Sequence, residues 1–335
     1  MQTALATIFV FFIVVVFHEF GHFIVAKMSG IKVHEFAIGM GPKLFKIKKG
    51  ETDYSLRLLP IGGYVKMEGE DEYSDDVRSF SKKSIGARMA VIAAGAIMNF
   101  ILAIIVFSVY SYKVGVPTTT IDTVTEKFPA YEAGIRNGDT ITRIDNFSVD
   151  SWEDIKKAIN ASNGKEIQIT VLRNEIKHNF FIKPIIEKDM NRIVIGITPK
   201  MRRSLLLSIK NGFQNMIMIL GLMFQFIGML FKGNVSSGDI SGPVGIVYLV
   251  GEAAKSGFLY VLYIAGFISI NLGFFNLLPI PALDGSRLVF LLFELVRGKP
   301  INPEREGFIH FVGFVFLILL MLVVAYKDII KFNIF

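Results

Sequence analysis

Two of the five histidines in the chain fall in the run His18-Glu19-Phe20-Gly21-His22. The apolar flanks favour a helix, and a spacing of four puts both imidazoles on one face, about one turn apart. Two neutral imidazole nitrogens so placed can share a Zn2+, with Glu19 beside the metal to take a proton from its water. The plainer reading, two unrelated core histidines, would carry two His and a Glu into an apolar segment without partners, which is costly. A catalytic zinc needs a third protein ligand besides the water. The chain has no Cys, so that ligand is a His, Asp or Glu. Asp284 is the intramembrane candidate, at the end of Asn276-Leu277-Leu278-Pro279-Ile280-Pro281-Ala282-Leu283-Asp284-Gly285. Pro279 and Pro281 break the helical ladder at membrane level, which is tolerated only where backbone is buried in protein or lines a wet cavity. The other reading of Asp284 is as a cap for a helix beginning near Arg287.

The elements that must position these groups are membrane helices. Of 335 residues, 52% are apolar and 31 are Phe, far from a soluble composition. The absence of Cys excludes a disulfide framework, an iron–sulfur site and a thiolate nucleophile. The net charge of +7 is spread between apolar segments, which reads as membrane topology and not as a nucleic-acid surface. The apolar run from Ala4 has no basic stretch before it, since the first Lys is Lys27, so it is expected to be a retained spanning helix and not a cleaved signal. Met89 to Tyr112 is the second span. The Lys- and Arg-rich stretch from Lys27 to Arg88 marks the cytoplasmic side and places the N-terminus outside. The acidic patch beginning Glu68-Gly69-Glu70-Asp71-Glu72 reads as a solvated loop without a role.

Residues 115–200 then emerge outside as a soluble α+β module of about 80 residues. Alternation in 118–124 and 166–173 predicts strands, and Ser151-Trp152-Glu153-Asp154 predicts a helix start. Downstream, Asn211–Phe231, Ser256–Leu283 and Gly307–Tyr326 are each long enough to span. Ser204, Ser208, Asn211 and Asn215 recur at helical spacing, so the 201–255 segment also fits an amphipathic helix at the interface. The chemistry decides between these. Asp284 must reach the depth of His18 and His22, so its helix runs inward as the first one does. Four spans follow, with Asn211–Phe231 lying on or dipping into the outer interface and both termini outside. The organisation expected is membrane core over 1–114, inserted module over 115–200, interfacial segment over 201–255 and membrane core again over 256–335.

The motif around His18 and His22, paired with Asn276…Pro279-Ile280-Pro281…Asp284-Gly285, resembles the signature of the site-2 protease family of intramembrane zinc metalloproteases. Further likeness lies in Gly39-Met40-Gly41-Pro42-Lys43, Leu59-Pro60-Ile61-Gly62-Gly63-Tyr64-Val65 and Ser241-Gly242-Pro243-Val244-Gly245. The resemblance covers nearly the whole chain and is closest to the bacterial branch with a PDZ module between its second and third spans. Pro129 to Ile141, with Gly138-Asp139-Thr140-Ile141, resembles the PDZ pattern. Some relatives have two such modules, whereas this insert has room for one. A second departure is Gly95-Ala96, where relatives often have Gly-Pro.

The resemblance implies His18, His22 and Asp284 as zinc ligands and Glu19 as general base, the roles the residue chemistry also assigns. It implies that Asn276, Pro279 and Pro281 position the substrate. A substrate helix must be unwound before its carbonyl can be attacked, and edge pairing is the cheapest substitute for its lost hydrogen bonds. Tyr54 to Met67, containing Leu58 and the Gly62-Gly63 turn, is expected to form a membrane-entering β-hairpin that adds the substrate as a strand. The implied partners are a transmembrane anti-sigma factor or remnant signal peptide and the lipid bilayer of the bacterial cytoplasmic membrane, with the PDZ-like module outside. The competing class is a metal-binding membrane transporter, which should place its ligands on several helices or inverted halves. A PDZ-bearing scaffold without chemistry is the third, and it makes Glu19 dispensable.

Overall fold

The computed structural model describes residues 1–70, 74–187, 192–234 and 241–332. Asp71 and Glu72 of the acidic patch lie outside the described residues. The contacts divide the chain into two compact units, Met1–Tyr110 with Gly212–Phe335, and Ser111–Asn211.

In the first unit, helix α1 (Gln2–Met28) leads into two long strands, β1 (Val33–Lys49) and β2 (Thr52–Met67), and then α2 (Ile85–Val114). The strands bend around Gly39, Gly41 and Gly62, all at positive φ, where a Cβ would be strained. Each strand therefore pairs twice. Tyr54 lies between Ile47 and Phe36, and Phe36 in turn lies between Tyr54 and Val65. The segment Gly63–Met67 pairs on one side only among the described residues. Phe23 of α1 packs edge-to-face against Phe36 and Tyr54, tying the sheet to the first helix.

The second unit begins within α2 and continues through β3 (Val116–Val124), α3 (Pro129–Glu132), β4 (Thr140–Ile144), β5 (Phe147–Ser148), α4 (Trp152–Ala161), β6 (Ile167–Arg173), β7 (Ile176–Ile182), β8 (Ile185–Glu187), β9 (Arg192–Val194) and β10 (Ile197–Arg202). Its main sheet runs β10-β3-β4-β6-β7, with β5 on β4. Both strands expected from alternation are present, because alternate Ile and Val side chains fill one core with Ile121, Ile141, Ile155 and Ile169. Ser151 caps α4 with a full capping box to Asp154, as its sequence predicts.

The chain returns through α5 (Leu205–Phe231), α6 (Pro243–Ser256), α7 (Phe258–Leu277), α8 (Asp284–Arg297) and α9 (Pro303–Lys331). Among the described residues five helices, α1, α2, α5, α7 and most of α9, are long and apolar enough to cross a membrane. Their directions can be read from their contacts. A Cβ on Gly21 would sit 2.3 Å from Ala94 O, and Val14 packs with Leu102 and Val106, so α2 runs antiparallel to α1. Gly266 faces Phe107 while Gly273 faces Ala96 and Phe100, so α7 is antiparallel to α2 and parallel to α1. Gly212 of α5 abuts Ile104 and Ser108, and Phe224 packs edge-to-face against Phe274. Helix α5 therefore runs in among α2 and α7, in the same sense as α7, and does not lie flat beside them.

Candidate metal centre

Three donor atoms from α1 and α8 converge. His18 Nε2 and His22 Nε2 lie 3.2 and 3.3 Å from Asp284 Oδ2 and 3.3 Å from each other. Donors bound tetrahedrally to one zinc at about 2.0–2.1 Å stand about 3.3 Å apart. The triangle thus has the dimensions of three zinc ligands. Protonation gives the same result. His22 Nδ1 is 2.9 Å from Val91 O, and a carbonyl only accepts, so Nδ1 carries a proton and Nε2 is the nitrogen turned toward Asp284. Nε2 faces Asp284 Oδ2, a buried atom without a hydrogen-bond partner among the described residues. Three such atoms held this close need positive charge between them, which a shared metal ion supplies. Among the described residues this is the one group of His and carboxylate side chains found close enough to hold an ion.

Asp284 is not a helix cap. Leu283 is the N-cap of α8 and no side chain caps that end, which frees the carboxylate to turn toward the histidines. The strand-like backbone at Leu278 ends α7 at Leu277, earlier than hydropathy implies. Ala282, just before the aspartate, has φ +75, a costly value for a residue with a Cβ. His310 holds it there, its Nδ1 accepting the Ala282 N–H at 3.1 Å. His310 thus supports the loop that carries Asp284.

Glycines bring these elements together. A Cβ on Gly95 would lie 2.3 Å from His22 Nε2, and one on Gly285 would lie 2.1 Å from Leu278 O. A Cβ on Gly63 would lie 2.8 Å from Glu19 Cγ, so β2 touches the expected base directly. Beside the three donors opens a cavity of about 180 Å³, lined by Glu19, Gly63, Tyr64, Val65, Met67, Glu70 and Arg287 among others. Glu70 and Arg287 form an ion pair at its edge. The acidic patch therefore contributes to the site through Glu70, contrary to the expectation of a loop without a role; nothing in an acidic run signals that one member pairs with a helix so distant in sequence.

The substrate-contacting expectations divide. Gly63 lines the cavity; Leu58 and Gly62 do not. Leu58 is exposed, and its neighbour Leu56 already pairs with both Ile38 and Phe45, so its part of β2 offers no free edge. The segment that borders the cavity and has a free side is Gly63–Met67. Asn276 is buried at the end of α7, and Pro281 packs on Gly313 of α9; neither they nor Pro279 line the cavity.

The chain belongs to peptidase family M50, whose family model matches residues 6–320. A relative from Clostridium acetobutylicum is 40% identical over 325 residues, covering 96% of each chain. The zinc metalloprotease RasP of Bacillus licheniformis is 34% identical, covering 98% of this chain and 99% of its own. The regulator of sigma-W protease RasP of Bacillus subtilis is 33% identical, covering 98% of both chains. That alignment runs over 416 positions, more than the 335 residues here, so this relative has a stretch that the present chain lacks. Among solved structures, the PDZ domain of an SdrC-like protein from Listeria innocua is 28% identical with a TM-score of 0.23, covering 26% of this chain and 96% of its own. The protein is a zinc metalloprotease of the site-2 type, an intramembrane endopeptidase. The transporter reading finds no support among these relatives.

Proposed function

We propose that His18, His22 and Asp284 hold the zinc and that Glu19 is the general base for hydrolysis of a peptide bond in or near a substrate's transmembrane segment. The observation that carries this is the donor triangle, with edges of 3.2, 3.3 and 3.3 Å and an unpartnered buried carboxylate oxygen at one corner. Bound there, zinc supplies the Lewis acidity that peptide hydrolysis requires. Glu19 faces the same cavity, takes the proton of the attacking water and returns it to the leaving amine. Gly63 leaves the space in which the Glu19 side chain lies.

The substrate enters as an extended strand along Gly63–Met67, whose free backbone groups replace the hydrogen bonds the substrate loses on unwinding. Exposed apolar residues of the hairpin, Leu44, Phe45, Leu58 and Leu59 among them, suit it to enter the bilayer, with Gly62 turning its last segment back toward the site. Asn276, Pro279 and Pro281 shape the loop before Asp284 and keep it open to the substrate backbone. The substrate class is a membrane-anchored anti-sigma factor or a remnant signal peptide. Support comes from the Bacillus subtilis relative's name, which ties that protein to regulation of sigma-W.

The protein sits in the bacterial cytoplasmic membrane with four net crossings. Helices α1 and α7 are parallel, so the residues between α2 and α7, including α5, start and end on one side. The Ser111–Asn211 unit is a single PDZ-like module on that outer side, where it screens bulky ectodomains, and both termini are also outside. Because the chain has no Cys, one introduced at the exposed Lys255 is a clean reporter. It should label from outside the cell; labelling from the cytoplasm alone overturns the topology.

The functional test is cleavage of a purified single-span reporter by wild type and Glu19→Gln in the same detergent, with zinc counted in both. Cleavage by wild type alone, at about one zinc each, is expected, with a loss on the order of 10²- to 10⁴-fold. Equal cleavage by both proteins would remove Glu19 from the mechanism.

A further inference from the structure

The stripe Val91, Gly95, Asn99 on α2 matches His22 and His18 on the antiparallel α1. Val91 O receives the Nδ1 proton of His22, Gly95 allows the imidazoles to approach, and Asn99 meets His18. Asn99 is wholly buried, and its side-chain amide lies 3.2 Å from His18 Nδ1. The helix is pinned at this level by Ser269 of α7, whose hydroxyl donates to the Asn99 backbone carbonyl at 2.9 Å. Asn99 Oδ1 is a buried acceptor without a partner among the described residues.

We infer that Asn99 is a positioning residue for the metal centre: its amide oxygen accepts the Nδ1 proton of His18 and so holds the Nε2 lone pair toward Asp284 and His22. A metal-ligating imidazole carries its proton on the other nitrogen, and that N–H needs an acceptor. The amide's two ends are nearly identical in shape, so Oδ1 replaces Nδ2 beside Nδ1 by a half-turn of the group. His22 then has a backbone acceptor and His18 a side-chain acceptor, both supplied by one face of α2. Only the second can be removed by mutation.

The inference rests on the ligand assignment proposed above, and the test separates the two. Zinc affinity of the full-length protein in detergent is measured by competition with a chromogenic chelator for wild type, His18→Ala, Asn99→Leu and Asn99→Asp. The melting midpoint of each zinc-free protein is recorded alongside. Asn99→Leu, similar in size but without an acceptor, should lose affinity about 10- to 100-fold, whereas Asn99→Asp, which keeps the acceptor, should hold zinc at least as tightly as wild type. Zinc-free Asn99→Leu and Asn99→Asp should melt within a few degrees of each other, so a packing defect cannot produce the split. Asn99→Ala replaces the Leu variant if the latter does not fold. Unchanged affinity in the acceptor-less variant, or equal loss in both, overturns the inference while leaving the ligand set intact, provided His18→Ala loses zinc. Full retention of zinc by His18→Ala overturns both.

Discussion

Asp139 and Asp284 are two aspartates in two different units of the protein, and they use their oxygens differently. Both oxygens of Asp139 are committed to the fold: Arg173 donates to Oδ1 and Oδ2 at 2.7 and 2.8 Å, and the Arg136 N–H donates to Oδ2 at 2.9 Å. Asp284 Oδ2 has no donor among the described residues and faces the Nε2 atoms of two histidines. A buried charge with all its hydrogen bonds made holds a sheet corner together. A buried oxygen set 3.2 and 3.3 Å from two imidazole nitrogens is placed to share a cation with them. Both residues adjoin a glycine in recognisable motifs, so the motif alone does not separate the roles; the partners do.

That contrast can be broken by removing each carboxylate in turn. Asp284→Ala should abolish cleavage and zinc binding, yet leave the zinc-free protein melting close to wild type, because no hydrogen bond to Oδ2 is lost. A large drop in zinc-free stability would show that Asp284 has a structural role instead. Asp139→Ala should do the reverse, destabilising the Ser111–Asn211 unit by about 3 kcal/mol, since Arg173 loses its buried partner, while zinc content stays at wild-type level.

Acid should reproduce the second effect. Burial by itself pushes the Asp139 carboxyl up, but the Arg173 guanidinium and the Arg136 N–H outweigh it and hold the group below the ordinary carboxylate range. Its stabilisation is therefore complete above the unfolded value of about 3.9 and is lost as pH falls below that through the folded value. The melting midpoint of wild type should fall more steeply than that of Asp139→Ala on going from pH 5 to pH 3; parallel curves would remove Asp139 from the account. A smaller effect sharpens the metal side. Gly63→Ala should displace Glu19 and slow cleavage on the order of 10- to 100-fold with zinc unchanged, and full activity would show that the two side chains can give way.

Much of the site was legible because its strongest signal is local. Four-residue spacing on a helix brings His18 and His22 to one face whatever surrounds them. Asp284 stands out by elimination among residue types and by the prolines beside it, and the structure brings its carboxylate to the two histidines. The strands and capped helix of the inserted unit were legible for the same reason, since alternation and capping act within a few residues. The partner residues on α2 were not legible. Val91 contributes a backbone carbonyl, which its side chain does not advertise, and Gly95 and Asn99 acquire meaning only when α2 lies against α1. Glu70 and His310 fall in the same class. Leu58 is expected at the substrate edge because Tyr54 to Met67 reads as a hairpin turning at Gly62-Gly63; the structure instead makes this stretch one bent strand, β2, whose two halves flank β1, and the free edge moves to Gly63–Met67.

The sequence by itself determined the chemistry: which residue types are available, that two histidines share a helix face, and that the chain lives in a membrane. Only the tertiary structure decided which elements meet at those residues, namely which carboxylate oxygen lacks a donor, which face of α2 supports the histidines, and the direction α5 takes beside α7. The physical reason is that helix periodicity and hydropathy act along the chain and are written there, whereas a membrane helix is apolar on nearly every side. Its packing face is chosen by close approach at glycines such as Gly21, Gly95 and Gly273, which is a property of the pair and not of either sequence alone.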